Sequence, residues 1–200
     1  MHRACLGLIA IGWIAIAAAV GPREAIAEQR PTAISMGMSG TVEDAPFAQT
    51  ILGLPVTIDV GTLVSGELWW HASASFGVGE AIDEGDGHVF ELHTGPRVQH
   101  CWNARRLCLG ASLELGWGHS RWNLASRDDA LSYDDLQLEA RARASIALTP
   151  SGQVLLEASA GPRARYYLRG GSSASPMSFD RIDAPLARGV AAGLALVVRN

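Results

Sequence analysis

Between Leu136 and Leu148 the side chains alternate without a break. Leu136, Leu138, Ala140, Ala142, Ala144, Ile146 and Leu148 take one parity; Gln137, Glu139, Arg141, Arg143 and Ser145 take the other. Successive side chains of a pleated strand point to opposite faces, so a period of two reads as a β-strand with one apolar and one polar face. The pattern recurs at Ile34–Ser39, Leu54–Gly61, Glu67–Gly79, Phe90–Gln99, Leu107–Trp117, Val154–Tyr166 and Val190–Val198, which makes eight strands. The chain is therefore all-β, and its sheet must either close into a barrel or stack on a second sheet.

Charge decides which face is inside. Within the strands the apolar parity carries no Asp, Glu or Arg. The polar parity carries Asp59, Glu91, Glu114, Glu139 and Glu157 against Arg97, Arg141, Arg143, Arg163 and Arg165. Balanced charges of this kind suit the interior of a narrow eight-stranded antiparallel barrel, which side chains fill and where ions must be paired. The connections alternate as well. Short ones fall near Ser65-Gly66, at Trp102–Arg106 and at Pro150–Gly152; long ones at Thr41–Gly53, Glu80–Gly87, His119–Tyr133 and Arg169–Ala187. Turns at one end and loops at the other are expected of an up-and-down transmembrane barrel. Trp70, Phe90, Trp102, Trp117, Trp122, Tyr133 and Tyr166 fall toward strand ends, where rings would sit at the two membrane interfaces.

The amino-terminal segment is of another kind. Met1-His2-Arg3 precedes an apolar run from Ala4 to Val20, and Ala25-Ile26-Ala27 offers a small-x-small cleavage site, so residues 1–27 read as a secretory signal peptide and 28–200 as one barrel domain. Export to an oxidising compartment makes a disulfide the first expectation for Cys101 and Cys108. Every one of the 16 fixed positive charges is an arginine, and the net charge of −4 with no basic tract argues against a nucleic-acid partner.

Over residues 31–200 the strand number, facing and loop sorting resemble the eight-stranded outer-membrane β-barrel proteins, the OmpA/OmpX-like class. That resemblance implies a Gram-negative outer-membrane location, periplasmic termini and outward loops. It implies outer-membrane lipid or lipopolysaccharide and the barrel assembly machinery as partners, and a structural or interactive role without a cofactor. Such barrels usually end on an aromatic residue, where this sequence has Val197-Val198-Arg199-Asn200.

Other chemistry is fainter. His71 and Ser73 share the polar face, and a base beside a hydroxyl is what a lipid A deacylase-like enzyme would need. A soluble periplasmic barrel holding a small apolar ligand is the other alternative. Asp83–His88 and the pairs Asp128-Asp129 and Asp134-Asp135 have carboxylates at short spacing, yet neither completes a calcium loop, and no metal site is expected. Glu-x-x-x-Gly-Pro-Arg occurs twice, at Glu91–Arg97 and Glu157–Arg163, with Pro on the apolar face. A bulge or bend at both places, or a duplicated hairpin unit, would account for it.

Overall fold

The computed structural model describes residues 31–45, 48–102, 106–126, 128, 130–172, 175–180 and 186–200; the expected signal peptide lies outside them. The strands are β1 Thr32–Ala45, β2 Ala48–Ser65, β3 Leu68–Ala81, β4 Gly85–Trp102, β5 Leu107–Leu124, β6 Ala130–Ala147, β7 Val154–Ser172, β8 Ser175–Asp180 and β9 Leu186–Arg199. Each of β1 to β7 pairs antiparallel with the next, β7 pairs with β9, and β9 returns to β1, so eight strands close a ring. The short β8 pairs only with the end of β7.

Facing follows the alternation. On β3, Leu68, Trp70, Phe76 and Val78 point outward, while His71, Ser75, Gly77 and Gly79 point inward. The outer surface at mid-strand is a continuous apolar belt of residues such as Met36, Ile58, Leu113, Leu138 and Leu194, each exposed by about half.

The loops expected at one end are largely absent. β1 runs on to Ala45 and β2 resumes at Ala48; β3 and β4 leave only Ile82–Glu84 between them; β5 reaches Leu124 before β6 begins at Ala130. Only the connection from β7 to β9 stays long, and it holds β8. The reason is a reversal of polarity. Toward this far end the outward side chains become Asp44, Glu80, Asp86, His88, Arg121 and Asp134, and the inward ones Ile51, Ala81, Val89, Trp122 and Leu124. Pairing continues, but with apolar residues inside and polar ones outside, as in a barrel surrounded by water. Strands of 18 residues at ~3.4 Å per residue, tilted by ~40°, rise about 45 Å, against an apolar band of ~25 Å in membrane barrels. The excess forms a collar above the belt.

At the opposite end the turns are tight. Gly66-Glu67 joins β2 to β3, with Gly66 at φ +53°, a left-handed value that glycine adopts without strain. Cys101 and Cys108 face each other across β4 and β5 and form a disulfide with Cα atoms 4.0 Å apart. Closing a loop this short stabilises by about 2–3 kcal/mol. The paired variant Cys101→Ser/Cys108→Ser should still fold in detergent, with an unfolding free energy lower by about that amount in a urea titration.

Of the bulge or bend expected at each proline, no bulge forms. Thr94 pairs with Leu115 and Arg97 with Ser112; Glu139 pairs with Arg163 and Ala142 with Ala160. The register is the same on both sides of Pro96 and of Pro162. Each proline lacks an N–H and interrupts the ladder locally without adding a residue to its strand.

Candidate functional site: the barrel lumen

The inward faces stack three tiers. At the turn end, Leu155, Val197 and Cys108 form a small apolar cluster with Ala33 and Cys101 beside it. Arg199 sits over the Trp69 ring at 5.6 Å and donates to Gln99.

The middle tier is ionic. Arg143 donates to Glu114 at 2.5 Å, to Glu157 at 2.8 Å and to Ser112 at 3.0 Å. Arg97 also binds Glu157, and Arg141 binds Glu139 at 2.7 Å. Glu91 receives Arg163 and, at 2.7 Å, Arg165; Arg165 reaches Glu43 at 3.0 Å as well. His71 Nδ1 lies 2.9 Å from Asp59, and Gln137 links His93 at 2.6 Å to Asp135 at 2.7 Å. All ten charged residues expected inside face the lumen, and each lies within this web. Glu43, Asp135, Gln137 and His93 belong to it too. Continuing the alternation into Thr41–Gly53 would have found Glu43, and carrying it one residue back from Leu136 would have found Asp135, but the first stretch reads as a loop and the strand reads as starting at Leu136.

Glu114 and Glu139 stand directly opposite each other on β5 and β6, an unfavourable placing for like charges. With His93 they form the one group among the described residues whose ligand atoms lie close enough for a metal. Arg143 and Arg141 each bind one of these carboxylates, so guanidinium groups supply the positive charge there.

The far-end tier is apolar. Ile51, Ala81, Val89, Trp122, Leu124, Leu131, Tyr133, Tyr167 and Ala187 fill the collar, with Tyr133 and Tyr167 packed edge to face at 5.5 Å. Gly79 and Gly87 pair with each other across β3 and β4, and the Trp122 ring lies over both: a methyl on either would come within 2.6 Å of it. Trp122 and Tyr133 therefore do not belong to a membrane interface. They sit where the polarity has already reversed, so their parity points them inward, with exposures of 0% and 9%. Trp70, Phe90, Trp102 and Tyr166 do face outward, and Trp117 packs edge to face on Phe90.

Between the tiers there is little free space. A cavity of about 50 Å³ lies between the ionic groups of β4–β7 and a wall of Ser35, Gly37, Ser39, Thr57, Ser73 and Ser75. That is room for one or a few waters. His71 and Ser73 do not form a catalytic pair. His71 is 2% exposed, and its ring faces Asp59 on one side and Glu114 at 3.6 Å on the other. A general base has to reach the hydroxyl it activates, and this imidazole is turned elsewhere. Asp134 and Asp135 diverge: Asp134 accepts from His119 on the outside, whereas Asp135 points inward toward Gln137; Asp129 of the other acidic pair lies outside the described residues.

No protein-family model matches the chain, and no curated protein sequence does either. Solved structures do resemble it. Neisserial surface protein A aligns over 82% of this chain and 96% of its own, with a TM-score of 0.56 at 13% identity. A major outer membrane protein from Thermus thermophilus aligns over 84% and 99%, with 0.55 at 11%. Ail, the attachment invasion locus protein of Yersinia pestis, aligns over 86% and 99%, with 0.50 at 14%. At these identities the likeness is one of fold: a closed eight-stranded antiparallel barrel of the kind found in outer membranes.

Proposed function

We propose that the chain is an outer-membrane barrel with a sealed lumen, serving as a scaffold that holds a rigid β-collar above the lipid. The observation that carries this reading is the outer surface. It carries no charge and, Thr94 apart, no polar side chain over the middle of every ring strand, and it turns polar at the far end, where the interior turns apolar. A soluble sheet has no cause to place Met36, Ile58, Leu113 and Leu194 in water while it buries Glu91 and Arg165. The filled lumen supports a structural and interactive role over transport, and the collar takes the place of mobile loops as the part presented outward. Outer-membrane lipid, lipopolysaccharide and the barrel assembly machinery are the partners such a surface implies. The collar would lie on the cell exterior and the short turns in the periplasm.

Two measurements test the reading. Unheated and boiled samples of detergent-extracted outer membranes should run at different mobilities, as a closed, detergent-resistant barrel does. Reconstituted into brominated lipid, single-tryptophan variants that keep Trp70 or Trp117 should be strongly quenched, and one that keeps Trp122 should not. A protein recovered without detergent, or equal quenching at all three positions, would overturn the membrane reading.

A further inference from the structure

Glu-x-x-x-Gly-Pro-Arg occurs on β4 at Glu91–Arg97 and on β7 at Glu157–Arg163. These strands run in opposite directions and are separated in the ring by β5 and β6. Across the lumen, Arg97 of the first copy binds Glu157 of the second, and Arg163 of the second binds Glu91 of the first. Each copy holds the other's acid.

The backbone between them has the same symmetry. Carrying the unshifted registers through each proline sets Pro96 against Leu113, Leu113 against Ala140, and Ala140 against Pro162, in one row across four strands. A methyl on Gly95 would collide with the Leu113 carbonyl oxygen, and one on Gly161 would collide with that of Ala140. A single two-fold axis, normal to the sheet between Leu113 and Ala140, maps one copy onto the other and exchanges the two ion pairs. A duplicated hairpin would behave differently. Its second copy would fall two strands on, at β6, and run in the same direction as the first.

We infer that the two copies are one device, a lock on strand register. The outer face cannot choose the register by itself. A slip of two residues returns every side chain to its own face, and over the belt of β5 and β6 it sets Leu, Ala, Trp117 and Ile146 against other apolar side chains. The Cys101–Cys108 disulfide fixes β4 against β5, and the tight turn at Thr149–Gln153 fixes β6 against β7, so β5/β6 is the pairing that neither determines. A two-residue slip there displaces one copy from the other by ~7 Å along the strand. Both ion pairs then break together, because one axis relates them. The lock thus converts a choice that is neutral on the outer face into a costly one inside. It rests on the lumen alone and holds whether or not the barrel sits in a membrane.

Cysteine pairs on the outer face read the register directly in the full chain refolded in detergent. Leu115→Cys/Leu138→Cys reports the native pairing of β5 with β6. Leu115→Cys/Leu136→Cys and Leu115→Cys/Ala140→Cys report slips of two in either direction. With the lock intact, only the native pair should cross-link. In an Arg97→Met/Arg163→Met background a slipped pair should rise from background to about a tenth or more of the product, and Arg97→Lys/Arg163→Lys should restore the native pair alone. If the double methionine variant does not fold, either single variant, which keeps one arm, should show the same slip in smaller amount. Native cross-linking alone in every folded variant, with or without a fall in melting temperature, would overturn the lock and leave the four residues as lumen filling.

Discussion

Replacing Glu91 by Ala should cost about 3–5 kcal/mol of stability, the range found when one partner of a buried ion pair is removed. Glu91 accepts from Arg163 and Arg165, whose side chains are only 1% and 2% exposed, and Ser75 and Gln137 lie 3.3 Å from its carboxylate. Without it, two guanidinium groups share Glu43, which is 3.0 Å from Arg165 and 3.5 Å from Arg163. The small cavity beside Glu91 has room for only a few waters, and the strands cannot splay to admit more without breaking their ladders. Urea unfolding of the detergent-refolded barrel, followed by tryptophan fluorescence, reads the loss. The control is Glu67→Ala. Glu67 pairs with His100 at the turn end, where both side chains are about half exposed, and exposed pairs of this kind contribute about 0–1 kcal/mol. Equal effects at the two positions would mean that the lumen network relaxes or takes up water freely.

The second large effect is expected at Trp122. Trp122→Ala removes the largest fully buried side chain among the described residues from a cluster that closes the far end of the lumen. Truncations of buried tryptophan cost about 3–5 kcal/mol, because the space left behind collapses only partly. Here collapse is further limited, since Gly79 and Gly87 beneath the ring have no side chains to move into the gap. Trp70→Ala, on the outer face, should leave the fold nearly as stable in detergent, where micelle chains fill its place. The two variants separate a plug from a belt residue, and the same urea titration measures both. A Trp122→Ala barrel as stable as the Trp70→Ala one would show that the collar interior is not a packed core.

The difference between these two tryptophans also marks what could be read in advance. The eight strands and their facing were legible because a strand against lipid must keep one parity apolar along its whole crossing, as Leu136–Leu148 does. The collar was not, because its alternation survives with the sign reversed: His88 outside and Val89 inside, Arg121 outside and Trp122 inside. Followed along the apolar parity alone, the pattern stops there and reads as a loop. The lumen was legible one residue at a time and not as pairs. Parity places Glu91, Arg97, Glu157 and Arg163 inside, but which arginine meets which glutamate depends on the stagger of strands three apart in the ring. The repeated Glu-x-x-x-Gly-Pro-Arg was visible from the start. Its reciprocity needed the opposite directions of β4 and β7.

In the proposed orientation, with the collar outside, the reversal of polarity makes insertion directional. To reach that place the far ends of β1–β2, β3–β4 and β5–β6 carry Asp44, Glu80, Asp86, Arg121 and Asp134 through hydrocarbon once. An arginine on a lipid-facing position at the midplane costs about 2–4 kcal/mol, and much less at the interface. The toll is met during assembly, while strands can still move as pairs. Once the ring has closed, the same charges oppose withdrawal, and the inward ring of Trp122, Tyr133 and Tyr167 would have to be dragged apart with them. The collar therefore acts as a ratchet: hard to thread, and harder to pull back.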